Sequence, residues 1–348
     1  MAQPCIHISM FFVVLLLFLT SVLSRSITNH TIDLDKLSRI REQLEKINKP
    51  GVKTIKSQDG DIIDCVLFHE QPAFDLPELK DQKTTLQLPE WPEGYNINEN
   101  TTTGFESFQL WSDSGNMPRF GQKVLNNSQH EYAIVNVKQD KFYGAKTSIN
   151  VWAPKVSQAG EFSLAQIWLA SGSFEAKDLN TIEVGWQVFP DNYGGDKNPR
   201  LFGYWTRDAY ETTGCHNLDP KNGNWWLSFG SGILIGYWPA SLLPRLKSHA
   251  DILQFGGEIV NCNRNGHTTT QMGSGHFAEE GFKKAAFFRD INLVNSANKV
   301  TSIPARNLLT PRNHPNCYNT KVSSGKGKGK VYDTHFFFGG PGKNPNCS

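Results

Sequence analysis

Neither sign of charge is in excess: 35 basic against 33 acidic residues leave a formal +2 over 348 positions. That balance offers no electrostatic footprint for nucleic acid or for a membrane surface. The one basic cluster, Gly325-Lys-Gly-Lys-Gly-Lys330, alternates lysine with glycine and contains no aromatic ring, so it reads as a solvated loop. No phosphate-cradling glycine loop and no Gly-x-Ser-x-Gly elbow occur, which leaves nucleotide chemistry and a serine hydrolase without support. Cys215, His216, Cys262, His267 and His276 follow no recognised ligand spacing, so neither a metal nor another cofactor is expected. Long apolar runs are scarce as well. Met10-Phe-Phe-Val-Val-Leu-Leu-Leu-Phe-Leu19 is too short and too near the N-terminus for a good membrane span. With the Val22-Leu-Ser24 step behind it, residues 1–24 read as a secretory signal, although no Lys or Arg precedes the run.

Export predicts a product with no membrane span after signal removal, made where disulfides and glycans form. Asn29, Asn100, Asn126 and Asn346 stand in sequons and are the glycosylation candidates. About 320 residues remain, enough for one large core plus an accessory segment. Residues 31–48 place Leu34, Leu37, Leu44 and Ile47 at three-four spacing between Thr31 and Pro50, which predicts an amphipathic helix. A short strand is expected around 59–65, and the polar stretch 81–128 reads as a linker. From about His130 the texture is β. Strand-like runs at 132–137, 147–152, 162–168, 181–187, 201–205, 225–229, 233–238 and 254–260 are separated by Gly, Asn, Asp or Pro. Such spacing predicts a mainly β, antiparallel sandwich or barrel, interrupted by a short helix over 240–250. Seven of the nine tryptophans fall between 152 and 238, where they fill a core or line a groove.

Two glutamates occupy similar surroundings: Glu183 in Thr181-Ile-Glu-Val-Gly-Trp-Gln187 and Glu258 in Gln254-Phe-Gly-Gly-Glu-Ile-Val260. On spacing alone, two solvent-facing strand glutamates are the commoner arrangement. Facing one cleft, however, two carboxyls do not both ionise cheaply. One keeps its proton while the other loses it, and an acid and a base stand side by side.

Several motifs then align in order. Asp59-Gly-Asp-Ile-Ile-Asp-Cys65 with Gln71-Pro-Ala-Phe74 is similar to the activation-peptide signature of the neprosin family, secreted plant glutamic peptidases made as zymogens that cleave after proline. Ser163-Leu-Ala-Gln-Ile-Trp168, the Glu183 segment, Tyr204-Trp-Thr206, Gly223-Asn-Trp-Trp-Leu227, Gly236-Tyr-Trp-Pro-Ala240, Phe255-Gly-Gly-Glu-Ile259 and Thr270-Gln-Met-Gly-Ser-Gly-His-Phe277 resemble that family's catalytic domain. With Gly339-Gly-Pro-Gly342 they span nearly all of 30–348, and the ordered set is far more specific than any one motif.

The resemblance implies two packed antiparallel sheets, Glu183 and Glu258 as the catalytic pair, and proline-containing peptides as substrates. It further implies a pro-segment acting in cis over 25–128, a catalytic sandwich over 129–348, and a Cys317–Cys347 disulfide. Trp186, Trp205, Tyr237 and Trp238 are candidate walls for a proline ring, though core packing is the commoner role for such residues. The pairing of Cys65, Cys215 and Cys262 is open on sequence alone. Two departures stand out. The family has a few dozen further residues where Leu218 and Asp219 adjoin here, and Gly115-Asn-Met-Pro-Arg-Phe120 replaces a cysteine-containing, arginine-rich stretch. A glycoside hydrolase or a non-catalytic, carbohydrate-binding cell-wall sandwich are the rival readings; the latter gains from the shortened segment.

Overall fold

The computed structural model describes residues 129–348 apart from 140, 211–223, 231, 264–265, 312–313, 328–329 and 348, together with 38, 42, 49–56, 62–67, 70 and 89–95. Contacts divide the chain into two units, Met1–Leu76 and Pro77–Ser348. In the first, β1 (Gly51–Lys56) pairs antiparallel with β2 (Ile62–Val66), slightly downstream of the expected strand. Of the helix expected over 31–48, only Ser38 and Glu42 are among the described residues, both helical. The signal segment, Asn29, Asn100, Asn126 and Cys215 lie outside them.

The second unit is built on two antiparallel sheets. One has six strands in the order β13-β3-β10-β5-β6-β7. These are β3 (Gln129–Val137), β5 (Ser163–Ser171), β6 (Asn180–Val188), β7 (Arg200–Thr206), β10 (Ile252–Asn261) and β13 (Leu308–Leu309). The other has the order β12-β11-β15-β14, with β4 (Gly144–Ile149) also paired to β11. Its members are β11 (Ala286–Val294), β12 (Val300–Ser302), β14 (Asn319–Gly327) and β15 (Lys330–Gly339). A separate hairpin joins β8 (Trp225–Phe229) to β9 (Ile233–Trp238). The mainly β, two-sheet architecture expected from the sequence is therefore the one observed.

Strand alternation explains the packing. A strand presents successive residues to opposite faces, so Phe255 on β10 points one way and Glu258 the other. Phe255 meets Phe288 of the second sheet edge-on at 6.2 Å, and Phe288 stacks on Phe336 at 4.9 Å. All three are fully buried, as is Phe338. Each such ring contributes about 2–3 kcal/mol by leaving water.

Three sequence expectations need correction. Ala240–Leu242 and Pro244–Leu246 are two short 3-10 turns, not one helix over 240–250. Pro244 has no N–H to continue the first turn, so the leucines are buried without an α-helix. The Gly-Lys cluster is not a loop, because Gly325 to Gly327 pair with Tyr332 to Lys330 as the end of the β14–β15 hairpin. Within the stretch read as a linker, residues 89–95 are fixed against the second sheet. Glu93 forms a parallel bridge with Lys299, and its N–H donates to the Asn298 carbonyl at 2.8 Å. Lys299 Nζ donates to Glu93 Oε1 at 2.6 Å, and Tyr95 places its ring under Lys146 Nζ at 4.5 Å. The Cys317–Cys347 disulfide is formed, with Cα atoms 5.3 Å apart.

Candidate active site

Glu183 and Glu258 belong to β6 and β10, which flank β5 on its two sides. In register, Glu258 faces Leu164 and Glu183 faces Trp168. Gln166 stands midway between those two β5 positions and on the same face. Its own cross-strand partners are Gly256 and Gly185, which have no side chains to interpose. The two glutamates therefore approach Gln166 diagonally from opposite strands on one face of the sheet. Neither glycine is replaceable at low cost. A Cβ on Gly185 would lie 2.0 Å from the Ala165 carbonyl oxygen, and one on Gly256 2.3 Å from that of Ala133.

Both carboxyls are 6 % exposed. Glu183 accepts hydrogen bonds from Gln166 Nε2 at 2.8 Å, Thr181 Oγ1 at 2.8 Å and the Tyr210 hydroxyl at 2.6 Å. Burial and the neighbouring Glu258 charge push its value up to about 6, against the opposing pull of those three donors. Glu258 contacts His130 Nδ1 through Oε1 and takes a further hydrogen bond from Tyr132. Burial first, then the charges of Glu258 and Glu183, hold the Tyr132 phenol well above its ordinary value. The Gln166 Oε1 atom is buried and meets no hydrogen-bond partner among the described residues. Leaving such an acceptor open costs about 1–3 kcal/mol, which marks the spot beside the pair as unusual.

Tyr210 reaches Glu183 by an irregular route. Ala209 and Tyr210 follow β7 with φ of 55° and 69°, in the left-handed region disfavoured for side chains with a Cβ. The Ala209 N–H donates to the Leu179 carbonyl at 3.0 Å and the Tyr210 N–H to Thr206 Oγ1 at 2.8 Å, which holds the turn.

The expected aromatic wall is not assembled at this face. Trp186 and Trp205 alternate with Glu183 and its cross-strand neighbour Tyr204, so they point to the opposite side of the sheet. Trp238 is buried over Gly203 on that opposite side, and Tyr237 stacks on Trp226 at 4.7 Å in the separate hairpin. The rings that do share the glutamate face are Tyr132, Trp168, Phe202 and Tyr204. Trp168 forms a cluster with Ile134 and Leu164, against which Tyr132 and Phe202 pack. Their signal was present in the sequence as period-two alignment with the two glutamates, but it needed the register between strands to be read.

The remaining candidates have structural partners. His267 Nε2 meets the buried Glu131 Oε2 at 2.7 Å while its Nδ1 lies 2.8 Å from the Thr268 carbonyl oxygen. His276 Nδ1 lies 3.0 Å from Glu280 and closes a turn. Two groupings among the described residues have metal-like proximity, and both rely on Cys317 or Cys347, whose sulfurs are committed to each other. Cys262 is a free thiol, half-buried and raised by burial and by the charges of Glu161 and Asp191. Asn346 is exposed beside the buried Cys347.

A solved structure described as scytalido-glutamic peptidase with a peptide-based transition state analogue is similar at 11 % identity and a TM-score of 0.29. The alignment covers 62 % of this chain and 98 % of that one, and the likeness is too slight to bear on the site. Residues 54–158 match the model of the neprosin activation peptide, so the chain carries such a segment in cis. That match ends well inside the sandwich, since β3 lies between β13 and β10 and β4 pairs with β11. Residues 159–220 and 218–341 match the neprosin model in two pieces that meet at the Leu218–Asp219 junction. The chain belongs to the neprosin family.

Proposed function

We propose that the chain is a secreted, zymogen-type endopeptidase that cleaves peptide bonds after proline at acidic pH through Glu183 and Glu258. The observation that carries the reading is the placement of two coupled, buried carboxyls on one sheet face, diagonal to a glycine-flanked glutamine. Below about pH 6 Glu183 holds its proton, which suits it to the role of acid. Glu258 is then the base. It takes one proton from water as the water oxygen bonds to the scissile carbonyl carbon. Glu183 hydrogen-bonds the carbonyl oxygen and passes its proton to the leaving nitrogen as the C–N bond breaks. A final proton shift from Glu258 through solvent to Glu183 restores the starting state. Tyr132, Trp168, Phe202 and Tyr204 supply apolar ring surface beside the pair, of the kind a proline ring stacks on.

Secretion and proline preference rest on the signal-like N-terminus and on the family resemblance. The full-length chain, matured at acidic pH, is expected to cleave a proline-containing peptide on the C-terminal side of proline, read by mass spectrometry of the fragments. Cleavage that ignores proline would remove the specificity, and cleavage that survives Glu183→Gln would remove the mechanism. The two-piece family match favours a second reading, a non-catalytic wall-associated sandwich in which the shortened β7–β8 connection has removed activity. Binding of a polysaccharide without peptide hydrolysis would select that alternative.

A further inference from the structure

The two glutamates differ in the charge of their partners. Glu183 is held by an amide and two hydroxyls, all neutral. Among the described residues, Glu258 is the one of the two that touches a group able to carry positive charge, His130. His130 comes from β3, two residues before Tyr132, which is the cross-strand neighbour of Glu258. Its ring lies parallel to Tyr132 at 6.4 Å and edge-on to Phe162 at 6.0 Å, so its orientation is fixed on two sides. We propose that His130 is a positioning residue for the peptide hydrolysis inferred above, holding Glu258 as the charged, correctly aimed base and leaving Glu183 as the acid.

The titratable groups facing His130 among the described residues are Glu258 from β10, Glu183 from β6 and Tyr132 from its own strand. Burial pulls the imidazole down, but the hydrogen bond and charge of Glu258, aided by Glu183, outweigh it and leave it raised. An imidazolium is thus present throughout the acidic range in which Glu183 is protonated. A working site has one proton on Glu183, none on Glu258 and one positive charge beside Glu258. His130 lies in the part of the chain matched by the activation-peptide model, yet β3 is an interior strand of the six-stranded sheet. Maturation that kept this site would have to cut before β3.

The test pairs kinetics with titration on the matured chain. His130→Ala is expected to lower kcat by at least about tenfold with KM little changed, against the roughly 10^4-fold cost of disturbing the orienting carboxylate of a serine triad. The acidic limb of the kcat/KM profile should move up in pH, and added imidazole should restore part of the rate in a saturable manner. An unchanged kcat and pH profile in a folded His130→Ala chain would overturn the proposal, as would a loss that imidazole does not relieve. Side-chain 15N NMR decides independently of turnover: the His130 titration should fall when Glu258→Gln is introduced. Identical titration in the two proteins would sink the His130–Glu258 pairing. If the unmodified chain cleaves no peptide while that titration shift is seen, the peptidase reading fails and the charged pair stands.

Discussion

Glu161 and Glu183 are the same side chain under nearly the same burial, yet their surroundings push them in opposite directions. Glu161 is surrounded by donors: Ser157, Thr268 and Thr270 hydroxyls, the Gln158 amide and the Cys262 N–H. Burial raises it, but those hydrogen bonds together outweigh burial and hold its carboxyl below the ordinary range. Glu183 has three donors too, and there burial plus a second carboxylate win. Glu183 has fewer donors to set against its burial, and it alone of the two has a second carboxylate, Glu258, among the main influences from the described residues. A buried glutamate ringed only by donors ties loops together; one that must also tolerate a like charge is available for proton transfer.

The comparison breaks most visibly in activity. Glu183→Gln and Glu258→Gln should each lower kcat by about 10^2- to 10^4-fold, and at pH 4, where Glu183 is protonated, the Glu183→Gln thermal midpoint should stay near that of the parent chain. A variant retaining near-parental turnover would return that glutamate to the structural class. Glu161→Gln should do the reverse. It leaves buried hydroxyls and an N–H poorly matched, at a cost of about 3 kcal/mol in chemical unfolding. An unchanged unfolding midpoint would show that the donor cluster contributes nothing.

Stability against pH sharpens the contrast further. Glu183 is raised in the folded chain, so its contribution is fully present below the ordinary glutamate value and is lost as pH rises through about 6. The loss amounts to about 2 kcal/mol between pH 4 and pH 8. Glu161 is lowered, so its contribution is present above the ordinary value and lost as pH falls through its folded value. Unfolding curves of Glu183→Gln should therefore lack the decline toward neutral pH, and a parallel decline in that variant would refute the assignment. Catalysis should show its alkaline limb near pH 6 for the same reason. The smallest effect belongs to Tyr210→Phe. Removing a donor that pulls Glu183 down should move that limb upward by less than about one pH unit, and a downward move would contradict the hydrogen bond.

Much of this was legible in the chain itself. Alternation around Glu183 and Glu258 points to two carboxyls in strands, and the ordered motifs single out the same two residues as candidates. Glycine beside each was visible, although its purpose, to clear the space on both sides of Gln166, required cross-strand register. Trp186 and Trp205 take the commoner role the sequence offers them, on the far side of the sheet from Glu183, because adjacent strand positions face apart. Tyr210 was invisible, since it enters through two left-handed residues that no periodicity announces. Glu161 has no local signal for a related reason: its donors come from Ser157 and Gln158 nearby and from Thr268 and Thr270 over a hundred positions away. Phe336, Phe337 and Phe338, which lie beyond the last strand expected from the sequence, form much of the second sheet's packing.

Strand β10 carries Phe255 for the core and Glu258 on the opposite face, with an uninterrupted ladder to both neighbours. A slip of one residue in that ladder would exchange the two faces, burying Glu258 among phenylalanines and turning Phe255 outward. Such a molecule would lose its core and its carboxyl pair together. For the peptidase proposed above, partial errors in pairing would thus produce silent protein rather than altered preference, and specific activity would become a direct count of correctly registered sheets.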